Sequence, residues 1–161
     1  MIRILGYLLF YVVAFVAQTV LAPMIRVFDV SPDFVLFFVV FISLRYGALA
    51  GVFWGFVAGF TEDVYSDLHW LGAAALTKTV VGYAVGQFEE KFINLGLVTK
   101  VAVLGVAFFL NDAIYGMVTG MSRDLVTKMF LTRSLPEGLY TLVLGTLAFH
   151  FLYPRAPRHV S

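Results

Sequence analysis

The chain has 161 residues, 61% of them hydrophobic and 13% charged, with a formal net charge of +1, whereas soluble domains run at about 45 to 50% apolar and about 25% charged. That composition, with a mean hydropathy of +0.92, indicates an integral membrane protein and excludes a soluble enzyme domain. A bilayer crossing takes about 20 apolar residues, so the length allows about six crossings and leaves the function to the membrane and its short loops.

The absence of cysteine removes disulfides, thiolate metal sites and a cysteine nucleophile. The balanced charge gives no reason to expect nucleic acid as a partner. The first apolar run, Ile4 to Ala22 behind Arg3, exceeds the roughly 7 to 15 residues of a signal-peptide core and is followed by more membrane, so it reads as a spanning helix. Spanning segments are predicted near 4–25, 31–45, 46–62, 68–88, 100–121 and 135–153. The expected fold is all-α, a single domain over 1–161 built as a bundle of about six transmembrane helices.

The second and third segments are short. Only the run Phe34 to Leu44 separates Asp33 from Arg45, and it makes about 17 Å of helix. The pair makes either two crossings or a re-entrant hairpin sheltered by protein. The third segment carries Gly47, Gly51, Gly55 and Gly59 at four-residue intervals. Four residues is just over one turn, so these glycines trace a groove that admits another helix at close range. Gly82 with Gly86, and Gly116 with Gly120, repeat the spacing. The groove receives either the chain's own neighbouring helix or the transmembrane helix of a partner.

Charges inside a membrane are costly and normally meet a partner, a cavity or the bundle interior. The candidate intramembrane set is Lys78 and Asp112 with Asn111 beside them and, nearer the ends, Asp33, Arg45, Asp63 and Glu137. From the predicted helix entries, Lys78 lies about 15 Å below the outer face and Asp112 about 18 Å above the inner one. Those depths nearly match, so a Lys78–Asp112 ion pair assisted by Asn111 is expected; separate wet crevices are the alternative.

With the amino terminus inside, the cytoplasmic side collects Arg3, Arg45, Lys91, Lys100, Arg155 and Arg158, and the outer side Arg26, Arg123, Lys128 and Arg133. This weak excess makes both termini cytoplasmic and turns the acidic loop with Glu62, Asp63 and Asp67 outward. Tyr7, Trp70, Tyr140 and Tyr153 fall near proposed ends, where interfacial aromatics sit. In Ser122 to Ser134, Leu125, Val126, Met129 and Phe130 share one helical face, giving an outer interfacial helix that either dips into headgroups or meets a partner. Glu89 to Lys100 is a similar inner connector.

Enzyme chemistry finds little support. His69, His150 and His159 are far apart and form no H-E-x-x-H pattern, and G-x-S-x-G is absent, so no catalytic, metal or cofactor site is expected. Asp63 and Asp112 resemble the aspartate pair of an intramembrane protease of the signal peptidase II type. The Asn and Asp-Arg signature associated with that family is missing around both.

The order Pro32-Asp33-Phe34, an apolar run, Arg45-Tyr46-Gly47, glycines to Gly59, Asp63, Gly72, Ala75-Leu76, Lys78 and Gly82-Tyr83 resembles the MreD family of bacterial rod shape-determining membrane proteins. The resemblance implies a non-enzymatic inner-membrane subunit of the cell-elongation machinery that regulates peptidoglycan synthesis and cell shape. Its implied partner is MreC, with one transmembrane helix, in an assembly with RodA, a class B penicillin-binding protein and MreB, surrounded by membrane lipid. It also implies similarity in fold to substrate-binding subunits of energy-coupling-factor transporters, with a cavity open toward the outside. From that similarity comes a second expectation, capture of a small solute by a transporter subunit.

Overall fold

The computed structural model describes residues 2–26, 30–65, 70–89 and 96–152. Asp67, His69, Lys91, Tyr153, Arg155, Arg158 and His159 lie outside these ranges. Helix α1 (Ile2–Val16) continues through a π-type turn, Ala17–Leu21, and a last turn, Ala22–Met24. Then follow α2 (Phe34–Tyr65), α3 (Ala73–Gly86), α4 (Leu97–Val118), α5 (Arg123–Met129) and α6 (Leu135–Leu152). A second π segment, Phe130–Ser134, joins α5 to α6. Every described element is helical. Among the described residues three stretches are long and apolar enough to cross a bilayer, Gly6–Met24, Phe34–Tyr65 and Leu97–Val118. The expected fourth crossing, near 68–88, is represented by α3, whose 14 residues make about 21 Å of helix; that is shorter than a typical hydrocarbon core.

Helix α2 is a hairpin. Gly47 breaks it with φ 84° and ψ −176°, a left-handed φ that side-chain-bearing residues rarely adopt. Asp33, just before the first arm, and Glu62, near the end of the second, both reach the ammonium of Lys78. In a straight helix they would stand about 43 Å apart, so the chain must double back at Gly47.

The first arm explains how so short a segment is tolerated. Residues 35–44 are all buried, as suits a helix that is apolar all round and packed in the middle of a bundle. Phe10 of α1 packs edge-on against Phe38 and Phe41, Trp54 of the second arm edge-on against Phe38, and Phe149 of α6 edge-on against Phe37 and stacked on Phe41. Ring contacts of this kind add about 0.5 to 1.5 kcal/mol each beyond area burial. The protein itself thus shields the arm from lipid.

The charges sort to two ends. At the bend end, Tyr7 packs on Tyr46 with ring centroids 4.6 Å apart, and Arg45, exposed, lies over the rings of Phe41 and Tyr46. At the opposite end the Tyr140 hydroxyl donates to the Ile25 carbonyl over 3.1 Å, and Asp33 and Glu62 gather around Lys78. Arg45 therefore lies at an end of the bundle, apart from the polar groups that gather around Lys78.

Candidate functional site: a charged cavity at one end of the bundle

The glycine groove is filled from within. A Cβ placed on Gly51 would collide with the Gly82 carbonyl and the Ser43 hydroxyl, one on Gly55 with the Lys78 carbonyl, and one on Gly59 with the backbone of Ala74 and Ala75. Reciprocally, Gly82 faces Gly51 and Gly86 faces Ala48. Helix α3 thus lies against the second arm at backbone contact along its length, the close approach that small residues permit. Gly47 faces the Glu89 carboxylate instead. The reading of Gly47, Gly51, Gly55 and Gly59 as a partner's seat is corrected: the chain's own helix occupies it. Gly120 is likewise a helix stop, with φ 64° and the Met121 N–H donating back to the Gly116 carbonyl over 3.2 Å, a left-handed terminus of the Schellman kind.

Asp63 organises the start of α3. Its carboxylate, 2% exposed, accepts from the backbone N–H groups of Gly72, Ala74 and Ala75 at 3.0, 3.1 and 3.0 Å. These amides have no partner inside the helix, and an anion there also meets the positive end of the helix dipole. Asp63, one of the candidate intramembrane charges, is thus a cap supplied to α3 from the preceding helix.

Lys78 is a deeply buried cation, its side chain 3% exposed. Its Nζ lies 2.7 Å from Glu62 Oε2 and 3.6 Å from Asp33 Oδ2. Asp33 also caps the first arm through the Leu36 N–H, 2.7 Å away. Its own N–H donates to Thr141 Oγ1 and the Phe34 N–H to Gln18 Oε1. Four elements are tied to this one corner. The expected Lys78–Asp112 pair is therefore replaced by a Lys78–Glu62–Asp33 triad, while Asp112 sits near the side chains of Ser134 and Asn111. Depth along two separate helices matched, but sequence said nothing of their rotation.

These groups line one cavity of about 400 Å³. Asp33, Glu62, Lys78, Asn111 and Asp112 face it, with Gln18 from the π-type turn after α1 and Arg133, Ser134 and Glu137 from the junction of α5 and α6. Arg133 Nε donates to Glu137 Oε1 over 3.0 Å. The segment Ser122–Ser134, expected to be interfacial, contributes Met129, Phe130, Arg133 and Ser134 as part of the wall. Sequence reasoning missed Glu62, Gln18 and Ser134. Glu62 stood in what looked like an outward acidic loop, and its spacing to Lys78 carries no local signal.

No group of three metal-ligating side chains converges among the described residues. The Asp63 and Asp112 carboxylates have separate partners, so the geometry of a proteolytic aspartate pair is not assembled. A bundle of apolar helices, cored by a sheathed hairpin and carrying a charged cavity at one end, is a multi-pass membrane protein. The family model described as MreD, rod shape-determining protein MreD, matches residues 1–154. The chain belongs to that family, one of rod shape-determining membrane proteins. No curated protein sequence matches the chain, and neither does any solved structure.

Proposed function

We propose that this chain is a non-enzymatic subunit of the rod complex in the bacterial inner membrane, docking the single transmembrane helix of MreC. Through that contact it joins RodA, a class B penicillin-binding protein and MreB in controlling peptidoglycan synthesis and cell shape. The family match over residues 1–154 carries this reading. In it both termini are cytoplasmic, and the hairpin arms, α3 and α6 count with α1 and α4 as six segments, similar to the substrate subunits of energy-coupling-factor transporters.

With the glycine groove filled, the partner helix needs another seat. Leu49, Phe53, Phe56 and Phe60 are exposed along one line of the second arm, on the side away from α3. Phe56 and Phe60 stack with centroids 5.9 Å apart. Spacings of four, three and four residues make this the kind of ridge against which a helix packs. Van der Waals packing is the available driving force, since lipid is as apolar as these side chains.

The natural lack of cysteine makes the test direct. Single substitutions Leu49→Cys, Phe53→Cys, Phe56→Cys and Phe60→Cys, paired with a cysteine scan of the MreC helix, are expected to give disulfide cross-links in membranes with helical periodicity. Gly51→Cys and Gly55→Cys, which point into the filled groove, should give none. Cross-links from no position of this ridge would reject the seat, and failure of the intact proteins to co-purify would reject the docking itself.

A further inference from the structure

The cavity has more acceptors than its own donors satisfy. Its cations, Lys78 and Arg133, face four carboxylates, Asp33, Glu62, Asp112 and Glu137. Both cations are already engaged, Lys78 by Glu62 and Asp33 and Arg133 by Glu137. The remaining carboxylate is Asp112, and beside it Asn111 is 8% exposed. Asn111 and Asp112 are adjacent on α4, and both line the cavity. Asn111 Oδ1 is buried and has no hydrogen-bond partner among the described residues. A buried carbonyl without a donor costs about 1 to 3 kcal/mol, which makes it a mark of a bound donor.

The cavity wall is also soft and π-rich: Phe108, Phe109 and Tyr115 flank these acceptors on α4, and Phe130, Met121 and Met129 line it as well. Aromatic faces attract organic cations, and do so more strongly away from water. We propose that this cavity binds an organic ammonium group, held by Asp112 and Asn111 Oδ1 against the aromatic wall. A phosphate or carboxylate would meet unbalanced carboxylates with no uncommitted cation lining the cavity. A metal ion is disfavoured because no three ligating groups converge among the described residues. A volume of about 400 Å³ falls within the roughly 300 to 1,000 Å³ of small-molecule sites. An apolar cavity of about 340 Å³ that includes Phe10, Val13 and Leu144 shares Pro32 and Asp33 with it, so an alkyl chain on the ammonium has an apolar neighbour. The site stands whether or not the MreC docking reading holds.

The test uses the full chain in dodecyl maltoside, an amine-free non-ionic detergent, and three probes sharing one tail: n-hexylammonium, n-hexanol and hexanoate. Calorimetric titration is expected to rank hexylammonium first, with hexanoate not binding. Asp112→Asn and Asn111→Ala should each weaken hexylammonium about tenfold, the loss of one hydrogen bond to a charged group. Equal binding of all three probes would show a merely apolar cavity, and preference for hexanoate an anion site; either overturns the proposal. So does hexylammonium binding untouched by both variants. The ranking on the unaltered protein needs no variant to fold. Native mass spectrometry of protein from cells then separates the sources. A bound ethanolamine phospholipid lost in Asp112→Asn assigns the ammonium to a lipid headgroup, and a small amine lost in the same way assigns it to a free solute.

Discussion

Helix α3 has two unlike sides. Toward the second arm of α2 it presents Gly82, Gly86 and the backbone of Ala74 and Ala75 at contact distance; toward α4 and the α5–α6 junction it contributes Lys78 to a cavity of about 400 Å³. Lys78 belongs to both, its carbonyl against Gly55 and its ammonium between Glu62 and Asp33. Where side chains are absent, backbones close and exclude everything else. Where charged side chains converge, the elements stand apart and leave room. One side buys rigidity, and the other keeps a space that rigidity holds in shape.

The largest expected effect comes from forcing bulk into the dry side. Gly51 is helical and needs no unusual φ, so Gly51→Leu acts by volume alone. Its Cβ meets the Gly82 carbonyl, and backbone cannot swing away as a flexible side chain does. A cost of about 3 kcal/mol or more is expected, read as a lower unfolding midpoint in detergent. An unchanged midpoint would mean that the α2–α3 contact is looser than backbone contact requires.

The wet side is expected to respond somewhat less and, unlike the dry side, to be repairable. Lys78→Met leaves Asp33 and Glu62 facing each other without their cation. Breaking a buried pair costs about 3 to 5 kcal/mol. Because Glu62 and Asp33 keep 33% and 19% of their side-chain exposure, water screens them and the lower end of that range is expected. Adding Glu62→Gln and Asp33→Asn should restore most of the midpoint. A triple variant no better than Lys78→Met alone would show that the triad is not an electrostatic unit.

The two sides also differ in how far the sequence disclosed them. The all-helical membrane class followed from composition, and the family from an ordered set of residues centred on α2 and α3. The glycine spacing announced a close helix contact because periodicity is local: it fixes which face is small before any neighbour is known. It did not name the neighbour, and α3 carries the matching Gly82 and Gly86 that decide the matter. The cavity was half legible. Lys78, Asp112, Asn111 and Asp33 stood out as polar groups in apolar runs, but their pairing depends on helix rotation and on a hairpin that brings Asp33 beside Glu62 across 29 positions of sequence. Nothing local records that distance. Arg45 and Asp63 drew the same suspicion by the same rule, and one lies exposed at the bend while the other caps a helix.

Asp63 gives the smallest of the three effects and tests whether the dry side depends on how α3 begins. Its two oxygens take three amides that the helix cannot satisfy internally, and Gly72, at φ 96°, turns the chain so that its own N–H points to the carboxylate. Replacing an N-terminal cap by alanine costs about 0.5 to 2 kcal/mol. Burial and the negative charge place Asp63→Ala at about 2 kcal/mol, and Asp63→Asn, which keeps an acceptor without the charge, nearer 1 kcal/mol. Amide hydrogen exchange separates this local role from a global one: residues 72, 74 and 75 should exchange faster in Asp63→Ala. The amides of 82–86, held by the glycine contact further along α3, should stay protected. Uniform deprotection along the whole of α3 would instead mean that the close contact with α2 forms only once Asp63 has set the first turn.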